Sequence, residues 1–339
     1  MLIIVCVITI GSPVKAGGPV GVRSLSVDAP ERAQAVTATV WYPAGKGGHP
    51  VSIGGNAVFE GVAGMQDARI ADGIFPVVLI SLGGLRAAPD LAGWIGAELA
   101  AQGFVAVVVP PARLGPKDAL VAIDEIWKRP TDLSAALTAL ENSDEWNSHV
   151  DLEKTAALGF FLGGTSVLSL AGADLDADRF MQTCDEAGTG MDCAWFARFG
   201  VKLRDGNLAR LTRSNPGPRL KAVIAVDPEL STSLAVDRLA AVAIPVEVIN
   251  LGQASSIVAG LDASKLATST SQIGYTTVPN ATEFSAFSIC TPKGVAILAD
   301  DGGSEAICNS DIHVGRGHIH AELAALIAGL LKRHLGISP

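Results

Sequence analysis

Continuous apolar runs constrain this chain more than any other feature. "FPVVLIS" (75–81), "GFVAVVV" (103–109), "TAALGF" (155–160), "LKAVIAV" (220–226) and "IPVEVIN" (244–250) show no alternation. A strand with one wet face alternates with period two, whereas a continuous run of this length reads as a strand covered on both faces of a parallel sheet. "VTATVWYP" (36–43) does alternate and reads as half-buried. Between the runs lie segments with helical spacing at 90–102, 130–142, 164–172 and 233–241, and the clearest helix is "HAELAALIAGLLKRHL" at 320–335. Strands alternating with helices predict βαβ units and an α/β fold built on a doubly wound, mostly parallel sheet. The stretch 174–218 breaks the rhythm and is expected to be an insertion over the carboxyl ends of the strands.

The rest of the organisation follows from length and composition. A chain of 339 residues has room for one large core, and no linker divides it, so a single domain over 17–339 is expected. Charged residues make up 17 %, below the usual quarter. A net charge of −9 with no basic run argues against nucleic acid as a partner. The opening "MLIIVCVITIGSPVKA" reads as a signal peptide over 1–16, with Val14 and Ala16 at the cleavage site. Its apolar stretch, residues 2–10, is too short to span a bilayer, so the mature chain is not expected to be transmembrane. Cys6 would leave with that peptide. Cys184, Cys193, Cys290 and Cys308 remain, an even number behind an export signal, which suggests disulfides in a periplasmic or secreted protein. The close pairs 184 with 193 and 290 with 308 are the simplest of the three connectivities that four cysteines allow. Their spacing is not that of a zinc site.

In an open parallel sheet, chemistry gathers at the carboxyl ends of the strands. Four such ends stand out: "LISLGGLR" after 75–81, "AALGFFLGGTS" (156–166), "AVIAVDPEL" ending in Asp227, and "TTVPNATEFSAF" with Glu283. "AALGFFLGGTS" has the frame of a strand turning sharply into a helix, with Gly159, Gly163 and Gly164 around Phe161.

These ends together resemble the α/β-hydrolases of the dienelactone-hydrolase-like group that includes the platelet-activating-factor acetylhydrolases. The similarity runs from about residue 20 to 335. The family's turn reads Gly-x-Ser-x-Gly, with the serine raised on a strained elbow. By that resemblance Phe161 takes the nucleophile's place, Asp227 the acid's, and Glu283 the histidine's. The family's His-Gly step beside the oxyanion hole is Leu82-Gly83 here. "WKRPTDLSAAL" (127–137) resembles the family's helix entry, with Arg129 and Asp132 retained. The frame thus survives without its reactive groups. Acyl transfer by this route needs a nucleophile with a lone pair, a base in reach and a group that orients the base. Phe161 offers no lone pair. Backbone N–H groups near Leu162 and Gly83 would still form an oxyanion-type pocket, which supplies binding and polarisation but no covalent step.

Other residues carry weaker signals. Asp227 before a proline is also a good turn residue, Glu283 fits a solvated loop, and Phe161 fits simple packing. Ser81, Ser166, Ser255, Ser256 and Ser285 lack the elbow frame. His313, His318 and His320 in "IHVGRGHIH" read as solvated imidazoles at a helix entry, not as metal ligands. His149 precedes a strand, away from the chemical end of the sheet, and His49 lies in a Gly-rich loop. No metal or cofactor is called for. Three functional readings stand: a pseudo-hydrolase that binds a small acyl or ester-like ligand or a protein partner; an ester hydrolase in which an Asp227–Glu283 carboxylate pair activates water; and an interaction protein with a plugged pocket.

Overall fold

The computed structural model describes residues 18–85, 93–115, 117–184, 192–213, 219–239, 241–270, 272–300, 304–311 and 313–338. The expected signal peptide, residues 1–16, lies outside them. Ten strands form one mixed sheet: β1 Val20–Val27, β2 Val36–Pro43, β3 His49–Ile53, β4 Val62–Gln66, β5 Phe75–Ser81, β6 Val105–Val109, β7 Val150–Phe160, β8 Leu220–Val226, β9 Val246–Leu251 and β10 Ile273–Val278. Their order is β10-β9-β8-β7-β5-β6-β2-β1-β4-β3. The six strands from β10 to β6 are mutually parallel, and β2 joins β6 antiparallel. The sheet is mostly parallel, as the apolar runs imply, and the fold is the α/β-hydrolase-like one that the resemblance implies.

Those runs are continuous because both faces of the parallel strands are covered. Val77 and Leu79 of β5 point into one core, with Leu133 and Leu137 of the helix Glu125–Glu141 and Val167 of the helix Leu162–Leu170. Val78 and Ile80 point into the other, with Ile95 and Leu99 of the helix Gly93–Ala101 and Leu323 and Ile327 of the C-terminal helix Arg316–His334. Burying a side chain of this kind is worth about 1.5–3 kcal/mol. Helices are thus shared between the two faces, which is what doubly wound means.

The structure differs from the sequence reading at several edges. The helix expected over 233–241 is a single turn, Val236–Leu239. The helix expected to begin at 130 begins at Glu125 and carries Pro130 inside it. β1, β3 and β4 lie outside the continuous runs; they are short or half-wet, with the mixed burial of a sheet margin. The stretch 174–218 holds the short helices Ala177–Gln182, Cys193–Arg198 and Leu208–Leu211 and no strand among its described residues. The bridges Cys184–Cys193 and Cys290–Cys308 are both in place, with S–S distances of 2.12 and 2.03 Å. Among the described residues, no helix is long and apolar enough to cross a membrane.

Candidate functional site

The elbow is built by close approach. At Gly159 a Cβ would lie 2.0 Å from the Gly163 carbonyl oxygen, and at Gly163 a Cβ would lie 2.1 Å from the Ser81 carbonyl oxygen. No other residue type lets β7, the following helix and the end of β5 come so near. Phe161 sits at the apex with φ 56° and ψ −122°. That conformation costs on the order of 1–3 kcal/mol for a residue with a side chain, so its surroundings must hold it. The Phe161 N–H donates to the Val226 carbonyl at 3.0 Å, and the Phe161 carbonyl accepts from Glu229 N–H and Thr165 N–H, each at 3.2 Å.

The Leu82-Gly83 step stands beside this turn. Gly163 N–H donates to the Gly83 carbonyl at 3.4 Å. On the far side, the buried Arg129 donates from Nη1 to Gly83 O at 2.7 Å and from Nη2 to Gly84 O at 2.8 Å. Arg129 is carried by a buried charge cluster. Its Nε faces Glu125 Oε2 at 3.5 Å; Arg32 donates to both Glu125 and Asp132, the latter through Nε at 3.1 and 3.0 Å. Burial lowers the Arg129 pKa, against the Glu125 charge that raises it. The Arg32 guanidinium holds the Glu125 carboxylate below its usual range despite burial. "WKRPTDL" therefore marks the support of the loop, through Arg129 and Asp132; the third and fourth members, Arg32 and Glu125, carried no sequence signal.

Asp227 directly follows β8, with φ 43°, and is 1 % exposed. Its Oδ1 accepts from Asn250 Nδ2 at 2.7 Å and from Leu251 N–H at 2.9 Å, while Oδ2 is buried with no partner in the described residues. Burial pushes its pKa up to about 7; the two hydrogen bonds oppose the rise and the Glu283 charge adds to it. Asn250 is fixed in turn, accepting from Ala263 N–H at 3.0 Å and Tyr275 OH at 3.1 Å. Glu283 opens a 3₁₀ turn, Glu283–Ala286, and is half-buried.

That turn brings aromatic rings onto the elbow. Phe287 stacks on Phe161 with centroids 5.9 Å apart, and Phe284 and Phe59 flank it at 6.2 and 6.4 Å. Phe161 is left 6 % exposed. The cover is anchored behind. Trp94 Nε1 donates to Ala286 O at 2.9 Å, and His320 Nε2 faces the carbonyls of Ser285 and Phe287, each at 3.0 Å. Two acceptors fix the His320 tautomer with its proton on Nε2. Ser285 Oγ donates to Asp311 Oδ1 at 2.6 Å, and Arg316 Nε donates to Asp311 Oδ2 at 2.7 Å. The Cys290–Cys308 bridge closes the same region.

His320 corrects the sequence reading. It is buried and stacked on Trp94 with centroids 3.7 Å apart, not solvated, and burial lowers its pKa to about 4. The i, i+2 spacing that separates His318 from His320 also turns one inward and leaves the other exposed. Ser81, Ser166 and Ser285 are buried; Ser166 Oγ donates to Leu162 O at 2.8 Å and is turned into its own helix. Among the described residues no group of His, Cys, Asp and Glu is arranged to hold a metal ion.

No family model matches the sequence, and no curated protein matches it either. Among solved structures, a ferulic acid esterase from Streptomyces cinnamoneus is similar at 15 % identity with a TM-score of 0.55, over 97 % of this chain and 93 % of that one. The likeness is one of fold.

Proposed function

We propose that this chain is a pseudo-hydrolase: an α/β-hydrolase-fold protein whose serine, histidine and acid positions survive as Phe161, Glu283 and Asp227, and which acts by binding. The single observation that carries this reading is Phe161 itself, held in the elbow's strained backbone with its ring buried under Phe287. The backbone groups of Leu162 and Gly83 are the remnant of an oxyanion pocket, beside Leu82. Partners are a small acyl or ester-like ligand or a protein. The two bridges support an exported location, periplasmic or secreted. The segment 174–218 is the insertion on a single domain over 17–339.

The carboxylate-pair alternative draws on one observation: Asp227 is raised in pKa by burial and by Glu283, as an acid beside a base would be. Its burial to 1 % exposure argues against access for water and substrate. The test is turnover of a panel of short-chain nitrophenyl esters. The expected rate is that of an unrelated inactive protein. Turnover that falls when Asp227 is changed to Asn would establish the carboxylate route and end the non-catalytic reading.

A further inference from the structure

We infer that the cleft between the splayed ends of β2 and β6 is a binding site for a short, uncharged, extended peptide, held by main-chain hydrogen bonds to Thr37. β5 and β6 separate this cleft from β7 and the elbow, so the site goes beyond the binding reading above and is tested apart from it.

β2 runs back to Val36, but its ladder with β6 stops at the Thr39–Val108 pair. Continued in that register, Thr37 would face Pro110 and Ala35 would face Ala112. Backbone groups in an antiparallel ladder alternate between the two sides of a strand. Ala44 N–H donates to Pro19 O at 2.9 Å, in register with the β1–β2 pairs. Even-numbered residues of β2 therefore bond β1, and the N–H and C=O of Thr37 point the other way, into the gap. Pro110 and Pro111 have no N–H to give. The Ala112 N–H is taken by Glu125 Oε2 at 3.4 Å. Three residues in a row thus offer β2 no donor, and the strands part. Between them lies a cleft of about 670 Å³, with Thr37 and Thr39 on one side and Val108, Pro110 and Pro111 on the other. That volume is within the ~300–1,000 Å³ of ligand sites.

What this cleft offers a ligand is backbone. Thr37 presents one donor and one acceptor side by side, and the side chains around them are small, apolar or hydroxylic. Arg32 also lines the cleft, but its guanidinium is engaged by Glu125 and Asp132. An extended peptide supplies the matching acceptor and donor from a single residue, along the line that β6 leaves. This is strand addition, made in a notch of the sheet instead of at its outer edge. A ligand with a donor alone, or an acceptor alone, would satisfy half of the pair. Arg113, one residue past the donor-free stretch, is exposed, so uncharged probes keep its charge out of the measurement.

The probe is the blocked tetrapeptide acetyl-Thr-Val-Thr-Val-amide, which is uncharged and favours the extended conformation. Titrated into the intact, isotope-labelled protein, it should move the amide NMR signals of residues 33–39 and 108–113 along a saturable curve. The same sequence with every amide nitrogen methylated should bind about tenfold more weakly. Thr37→Pro removes the donor and spares the β1 ladder, which uses the neighbours of Thr37; it should also weaken binding about tenfold. Pro110→Ala gives the wall an N–H opposite the Thr37 carbonyl. It should add a rung between β2 and β6, narrow the cleft and cost a similar factor. The proposal is overturned by the lack of a saturable shift up to about 10 mM peptide, or by shifts centred elsewhere. A methylated peptide that binds as its parent does, or either variant binding as the parent protein does, overturns it too. Should Thr37→Pro fail to fold, the methylated peptide and Pro110→Ala carry the test. Peptide binding by a protein that also turns over esters would leave this site standing and remove the non-catalytic reading.

Discussion

The two halves of the elbow region are held in different ways. On the β5 side, the Leu82-Gly83-Gly84 loop is held by a buried cation whose donors meet three backbone carbonyls, and whose charge is balanced by Glu125. On the β8 side, Asp227 has two donors on one oxygen and none on the other among the described residues, and the Phe287 ring stacks on Phe161 at the apex. The first half is polar and satisfied; the second is polar and half-satisfied, then sealed with carbon. The elbow's shape does not come from the side chains at its apex. It rests on glycine contacts, on backbone bonds from Val226 and Glu229, and on the Arg129 cluster. None of these uses the reactive side chains, so the shape outlasts them.

The comparison is broken most forcefully at Arg129. Arg129→Met leaves Glu125 without one cation, removes the Arg129 donor from the Gly84 carbonyl and leaves the Gly83 carbonyl with Gly163 N–H, and should cost about 3–5 kcal/mol, as loss of one partner of a buried pair does. Denaturant unfolding measures it. A loss within experimental error would show that the loop is held by other means. Phe161→Ser acts on the other half and should cost about 3 kcal/mol, chiefly lost ring burial against Phe287, since serine inherits the strained φ. A cost near zero would show that the ring contributes nothing to the cover.

Restoring chemistry sharpens the contrast further. Phe161→Ser and Glu283→His should each be inert alone, because nucleophile and base act as a unit. Combined with Phe287→Ala to open the cover, they should give weak turnover of activated nitrophenyl esters, abolished by Asp227→Asn. Persistence of turnover in the Asp227→Asn background would mean that another group orients the base. A folded but inert triple variant would show that the support half has also drifted.

The smallest effects are in pH. Asp227 has a folded pKa of about 7, above its unfolded value near 4, so its contribution is full at acid pH and falls as pH rises toward and through 7. His320 has a folded pKa of about 4, below its unfolded value near 6.5, so its contribution is full above that value and falls as pH drops toward and through 4. Between about 4 and 6.5 the two slopes oppose each other. Asp227→Asn should therefore make stability rise more steeply with pH there, and His320→Gln should make it fall, as thermal midpoints across that range would record. Slopes unchanged by either substitution would show that neither group titrates differently on folding.

The parallel sheet was readable because the runs are long and continuous, and the elbow because Gly159 and Gly163 stand where a side chain would collide with backbone. Cys184–Cys193 and Cys290–Cys308 were readable from proximity in sequence. What stayed hidden was whatever joins distant segments. Arg32 reaches Glu125 and Asp132 across roughly a third of the chain, and nothing local marks it. His320 looks solvated among polar neighbours, and its burial depends on Trp94 and on carbonyls of the loop that carries Phe287. Phe287 carries no local signal, and only the fold sets it on Phe161.

The central claim is that no side chain at this elbow can form an acyl-enzyme. Intact-mass analysis after prolonged incubation with a fluorophosphonate tests it most directly, because the adduct is covalent and independent of substrate choice. The expected mass of the parent protein is the unmodified one. A stoichiometric adduct mapped to Ser81, Ser285 or any other serine would contradict it.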